Sequence, residues 1–565
     1  MKTIRKITLS LLAISSVLFT GCPFLQFNGG ENWGEKKTEL IEFDDEGAQF
    51  FVQKNYSNST VGAEYTGYVS NKRQAAEDMP DLKIKVPDYG RKECDFIINS
   101  RKEAFDSISR ASANDLIDIT GINDLSTENI GDKHDFYFIS DANKYTFEKA
   151  SFTKKAEGSD CVVWFYENQP TITALYGQTA YNLNTQPTLN AEGKIVYSQS
   201  IFRENFYTTL QFQTIAAIFD NLIEKEEAVF GSHKHTRKFK GNINPQEKID
   251  IIICDLFNDA RTDAAGGVFG YFFNTDYINT ENYGNQKSNM RQCIYVDTYW
   301  LQMWTKSLYS TLAHEFCHLL NFSNKTMNYG VGFDTWFTEM LAMTAEDYLS
   351  TDLGTTSYEG PEGRLNYFNA YYNYGYTKWL SGDNVYISYA NSYAFGAYLA
   401  RNFGGKNLIK AIATNQYADF AAIDDALKNH AKFNTSKMKI DSIDFMTDFQ
   451  YPYYEWADWN FSEINIDAFI RKNKTDLNID LEPSSFNTLN KSVTGFKAID
   501  LSTILTTTYK NDQNETVPYY GPIIYNYQYK ADLGPRGFLV HYFGKKVKAF
   551  NYSYYENAPV YPLFY

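Results

Sequence analysis

Apolar residues recur at helical spacing from Leu301 to Phe322, at Leu301, Trp304, Leu308, Leu312, Leu319 and Phe322, with no Pro or Gly between them. This period predicts an amphipathic helix. A second helix is predicted to start at Asp334 or Thr335, after the loop Tyr329-Gly330-Val331-Gly332, and to run through Asp347. Phe212, Ile215, Phe219 and Leu222 predict a third, ahead of the acidic run Glu224-Lys225-Glu226-Glu227. Asn391 to Phe403 reads as a helix closed by Gly404-Gly405, and Leu408–Asn415 and Ile423–His430 as shorter ones. Unbroken apolar runs predict strands at Lys248–Phe257, Gly267–Phe273 and Gln292–Asp297, the last leading into the first helix. Aromatic and β-branched runs at Asp135–Ile139 and Cys161–Tyr166, and again at Val517–Tyr529 and Gly537–Tyr542, predict strands on either side of this region.

The resulting division is a signal segment 1–21, a tether 22–59, an N-terminal β-rich domain 60–197, a central domain 198–478 that holds these helices, and a C-terminal β domain 479–565. Lys2, Arg5 and Lys6 precede an apolar run from Ile7 to Phe19, which is too short to span a membrane comfortably and has the layout of an export signal. Thr20-Gly21-Cys22 then looks like a bacterial lipobox, although Phe19 stands where Leu is usual. Cys22 is the expected lipidated residue and the chain is expected at the bacterial cell envelope; a plain secretory signal is the alternative.

The net charge of −15 at pH 7 argues against nucleic acid as the main partner, because phosphate binding needs a basic face. The 45 Tyr and 42 Phe are read mainly as strand and core residues. Beyond Cys22 there are Cys94, Cys161, Cys254, Cys293 and Cys317; an odd number at long spacings does not indicate a disulfide framework.

The predicted helix at 301–322 carries His314-Glu315-Phe316-Cys317-His318. Positions i and i+4 share a helix face, so both imidazoles can reach one zinc ion, with Glu315 beside them as general base. The chain has only seven His, which makes a chance match improbable. Glu339 on the next helix is the candidate third ligand, and three protein ligands plus a water make an open, catalytic site. The competing readings are a pair of hydrogen-bonded structural His, and a first-turn Glu favoured by the helix dipole. Cys317 adjoins His318 but points away from the shared face and is read as a buried apolar residue. His233 and His235 are read as loop residues.

The segments His-Glu-Phe-Cys-His-Leu-Leu-Asn-Phe and Asp-Thr-Trp-Phe-Thr-Glu-Met-Leu-Ala-Met-Thr-Ala-Glu-Asp resemble the hyicolysin family of gluzincin metallopeptidases, within the thermolysin-like group. The likeness runs from about Cys161 to Asn460 and is strongest from Ile294 to Gly404. It implies one catalytic zinc on His314, His318 and Glu339, Glu315 as general base, and protein or peptide substrates. It also implies an α+β fold of zincin type, a mixed sheet over the metal-binding helix with a mostly helical lower half. Two positions depart from the group's pattern: Thr338 stands where Asn often precedes the third ligand, and Met343 where an Asp supports a ligand His. Glu346 or Asp347 is the candidate replacement. By the same resemblance Gly267, Val268, Phe269 and Gly270 belong to an edge strand that pairs with extended substrate, an internal strand being the alternative. Tyr393, in Tyr-x-Phe-Gly, resembles the oxyanion-binding Tyr of zinc aminopeptidases, with packing as the competing role.

The expected function is that of a lipid-anchored zinc endopeptidase. An aminopeptidase is the first alternative, disfavoured because Gly-x-Met-Glu-Asn is absent. A non-enzymatic adhesin keeping zinc for folding is the second, disfavoured by the intact Glu315.

Overall fold

The computed structural model describes residues 35–69, 115–167, 209–256, 268–279, 287–298, 305–430 and 452–565, short breaks apart, together with 188–189, 195–196, 439–440 and 443–444. The signal segment, Cys22, Cys94, Gly267, Leu301 and Trp304 lie outside the described residues.

The strands that build the two sheets described below and the β1–β11 pair are, in chain order, β1 Lys36–Glu42, β2 Ala48–Asn55, β3 Lys133–Asp141, β4 Thr146–Glu157, β5 Cys161–Phe165, β6 Ile249–Cys254, β7 Gly270–Phe272, β8 Cys293–Asp297, β9 Tyr525–Asn526, β10 Phe538–Val547, β11 Ala549–Tyr555 and β12 Val560–Phe564. The helices that matter for the site are α1 Thr209–Phe230, α2 Thr305–Asn321, α3 Thr335–Leu353, α4 Val385–Phe403, α5 Lys406–Thr414, α6 Asp419–His430, α7 Tyr453–Asn460 and α8 Glu463–Asn473. None of the described helices is long and apolar enough to cross a membrane.

A six-stranded mixed sheet has the order β7-β8-β6-β5-β4-β3. β6 runs parallel to β8 and to β5, and the remaining pairs are antiparallel. The sequence of β6 is apolar almost throughout because both of its faces are covered. Ile249, Ile251 and Ile253 face the helices, sharing a core with Leu312, Phe316 and Leu320 of α2, whereas Ile252 and Cys254 join Trp164, Tyr271 and Tyr295 on the other face. At full burial an aliphatic side chain contributes roughly 1.5–3 kcal/mol, so this strand is a principal anchor of the helical layer.

The division drawn from the sequence placed a boundary between residues 197 and 198, but hydrogen bonding crosses it: β5 pairs with β6 from Cys161–Ile249 to Phe165–Ile253. Strands β3 to β5 therefore complete the sheet that α2 packs under. The tether expected at 22–59 is likewise corrected over 36–55. β1 pairs with β11, and β2 lies inside a four-stranded sheet of order β9-β10-β2-β12. All eight residues of β2 are buried, which a solvated tether would not allow. Lys54 of β2 reaches Asp458 of α7 at 2.9 Å, and Asp458 also accepts from Tyr376 Oη at 2.7 Å. Burial pulls the Lys54 amine down to about 8 even against the pull of Asp458. The C-terminal β segment is joined to the same core, with Phe461 edge-on to Phe538 at 5.6 Å.

Candidate metal centre

Helix α2 is built on its buried face by Leu308, Leu312, Phe316, Leu319 and Leu320, which fixes its rotation about its own axis. That rotation puts His314 and His318 side by side, with Nε2 to Nε2 at 3.1 Å. Helix α3 starts after Asp334 and presents Glu339 to both. Glu339 Oε2 lies 3.1 Å from His314 Nε2, and Oε1 lies 3.3 Å from His318 Nε2. All three side chains are buried, and among the described residues they form the one His/Cys/Asp/Glu group compact enough to hold a metal ion. Ligand atoms about 2.0–2.1 Å from a tetrahedral zinc stand roughly 3.3 Å from one another. The two Nε2 atoms stand 3.1 Å apart, with one Glu339 oxygen 3.1 Å from His314 and the other 3.3 Å from His318, close to that spacing, so the donor set fits zinc.

The far ring nitrogens decide which lone pairs face inward. His314 Nδ1 lies 2.7 Å from Glu346 Oε1, and the other oxygen of Glu346 accepts from Ser310 Oγ. His318 Nδ1 lies 2.9 Å from Thr338 Oγ1, which also contacts Asn321 Nδ2 at 3.2 Å. With Nδ1–H donated outward, each Nε2 keeps its lone pair for a metal. Glu346 is thus the carboxylate brought to His314, seven residues after Glu339 and on the same helix face.

Asp347, the other candidate, is not brought there. One position further around α3, it holds Arg401 of α4 through both oxygens, at 2.8 and 3.1 Å. Tyr393 of α4 is buried, and burial first, then the Asp347 carboxylate, pushes its phenol well above its usual range. Gly396 of the same motif has its own packing reason. A Cβ there would stand 2.6 Å from Thr344 Oγ1 and 2.8 Å from Met340 Cγ, so the glycine lets α4 lie close on α3.

Strand β7 is the edge of the six-stranded sheet, hydrogen-bonded to β8 on one side. Gly270 rests on α2: an added Cβ would meet Thr311 Cγ2 at 2.8 Å, Tyr295 O at 2.8 Å and Glu315 Cγ at 3.2 Å. Glu315, itself buried, therefore lies against the edge strand at Gly270. Val268 and Phe269 precede it as buried residues, with Phe269 O accepting from Asp297 N at 2.8 Å.

Other polar groups under α2 are accounted for without the centre. Cys317 is a buried free thiol, pushed up by burial first and then by Glu226 and its neighbours. Glu226 of α1 is fully buried with no hydrogen-bond partner on either oxygen, and burial raises its carboxyl well above the usual carboxylate range. His233 is held by Glu227 at 2.5 Å and Gln246 O at 3.2 Å, and His235 by Ile243 O at 3.4 Å. Sequence reasoning missed Thr338 and Asn321 as supports of His318; the one available signal was Thr338 in the place of the more usual Asn.

Two comparisons bear on this geometry. Residues 177–445 match the family model described as Peptidase M30. The chain is also 27% identical over 325 residues to the neutral metalloprotease ShpI of Staphylococcus hyicus, an alignment covering 54% of this chain and 67% of that protein. The matched family segment contains β6 to β8 and α1 to α6, and leaves outside it the three strands that complete the main sheet.

Proposed function

We propose that the chain, similar over residues 177–445 to the Peptidase M30 family and at 27% identity to a neutral metalloprotease, is a hyicolysin-family metallopeptidase and a zinc-dependent endopeptidase acting on extracytoplasmic proteins. The proposed catalytic architecture is of zincin type, with the mixed sheet over α2 and the helical layer below. The observation that carries the zinc assignment is the convergence of two Nε2 atoms and one carboxylate at zinc-like spacings, with both Nδ1 atoms engaged outward.

His314, His318 and Glu339 hold the ion in this reading. Zinc bound there supplies Lewis acidity, polarising the scissile carbonyl and acidifying water. Glu315 takes the proton of the attacking water and passes it to the leaving amine. The backbone of Val268 to Gly270 aligns an extended peptide by strand addition, which reads any sequence and leaves selectivity to side chains. Cleavage of an N-terminally blocked peptide, lost on chelation and restored by zinc, tests the reading; cleavage confined to peptides with a free amine would make the protein an aminopeptidase.

Gly270→Ala tests the edge strand. The new methyl cannot fit against Tyr295 O and Thr311 without moving β7 away from Glu315. A shift of that kind is expected to lower kcat/KM by about tenfold to a hundredfold while zinc content stays stoichiometric. Unchanged kcat/KM would separate the strand from substrate alignment.

We place the protein at the cell envelope through a lipid on Cys22. Cys22→Ser is expected to lose fatty-acid labelling and to leave the membrane fraction. Unchanged partitioning into detergent would remove the anchor from this reading.

A further inference from the structure

We propose that Thr338 and Asn321 act as one positioning unit for His318, supplying through a hydroxyl and an amide the orientation that His314 receives from a carboxylate. This rests on the zinc reading above. The two imidazoles are supported differently. His314 Nδ1 faces the Glu346 carboxylate, which both orients the ring and raises its basicity. His318 Nδ1 faces a neutral hydroxyl, Thr338 Oγ1, at 2.9 Å. A hydroxyl rotates freely unless something fixes it, so a ligand oriented by threonine depends on what holds that threonine.

Asn321 is in place to do so. It is the last residue of α2, three positions after His318, where the helix widens into the π-helical turn Phe322–Met327. Single π turns inside helices are frequent at functional sites because they re-aim one side chain without ending the helix. The Asn321 side chain is 2% exposed, its Nδ2 lies 3.2 Å from Thr338 Oγ1, and its buried Oδ1 has no hydrogen-bond partner. When His318 and Asn321 both donate to Thr338, the hydroxyl proton has nowhere to go. A half-turn of the Asn321 amide exchanges Oδ1 and Nδ2 and moves nothing else. His318 Nδ1–H then donates to Thr338 Oγ1, and Thr338 Oγ1–H donates to Asn321 Oδ1. The chain acquires a direction, and His318 Nε2 is held with its lone pair toward Glu339. Thr338 immediately precedes that ligand, so one short stretch of α3 supplies the carboxylate and fixes the facing imidazole.

Zinc affinity of the full chain, measured by competition with a chelator, tests the unit, alongside the melting temperature of the zinc-free protein. Thr338→Val keeps the shape and removes the oxygen; it is expected to weaken zinc binding by about tenfold to a hundredfold, the usual cost of losing an outer partner of a ligand His. Thr338→Ser restores the oxygen and should return affinity to within about threefold of the parent. Asn321→Ala should weaken binding by less than Thr338→Val. Adding Asn321→Ala to Thr338→Val should cost nothing further, because Asn321 acts through the hydroxyl. Should Thr338→Val fail to fold, Asn321→Ala and Thr338→Ser alone still give the comparison: a loss in the first with retention in the second supports the unit. Zinc affinity unchanged in Asn321→Ala, or losses that multiply in the double variant, would overturn it. His318→Ala serves as control. Zinc lost there but kept in Thr338→Val defeats this proposal alone, whereas zinc kept in His318→Ala defeats the metal assignment beneath it.

Discussion

Alanine at His314 or at His318 is expected to strip the protein of zinc and of peptidase activity together. Each substitution leaves a two-ligand site, one imidazole and Glu339, where the geometry offers three donors at 3.1 to 3.3 Å. It also strands a buried outer partner: Glu346 loses the ring at 2.7 Å in the first variant, and Thr338 the ring at 2.9 Å in the second. A catalytic metal supplies several kcal/mol of transition-state stabilisation, so kcat/KM should fall by about a thousandfold or more. Elemental analysis of the purified variants and cleavage of a denatured protein substrate measure both effects. Stoichiometric zinc retained in both variants would place the metal elsewhere.

Glu315→Gln and Glu339→Gln separate catalysis from metal holding, although both replace one buried carboxylate by an amide of the same size. Glu315 sits against Gly270 and is proposed to move a proton without binding the metal. Glutamine there cannot accept that proton, and loss of a general base costs about a hundredfold to ten-thousandfold in rate. Zinc content and folding should match the parent. Glu339 faces both imidazoles, and a neutral amide is a poorer ligand than a carboxylate, so Glu339→Gln should lose zinc and activity alike. Full peptidase activity in Glu315→Gln would remove the general-base assignment, and stoichiometric zinc in Glu339→Gln the third-ligand assignment.

The helical period around His314 is legible in the sequence because it is local: the residues that bury α2 are the ones that aim its histidines. Glu346 was legible for the same reason, since seven residues on from Glu339 is two turns of one face. Asp347, its neighbour, points about 100° away, and nothing local says that Arg401 of another helix waits there. The packing of Gly396 was illegible because a short motif carries no information about which helix its glycine must approach. Thr338 and Asn321 were illegible as supports because a neutral hydroxyl and an amide acquire a role only when two helices bring them together. The main sheet was only partly legible. Its strands announce themselves by apolar runs, but the partnering of β5 with β6 spans more than eighty intervening residues and is set by the shared core.

The threading of β2 between β10 and β12 bears on how the enzyme comes into being during synthesis. A nascent chain that has emerged through Asn473 holds every proposed ligand, the general base and all eight labelled helices, yet β2 still waits for both neighbours. Phe50 and Val52 would then expose the surface that Phe538 and Val540 later share with the large core. Closure of the sheet around β2 is therefore deferred until Phe538–Val547 and Val560–Phe564 are available. The order of the chain thus separates the moment the proposed ligands are made from the moment the sheet around β2 can close.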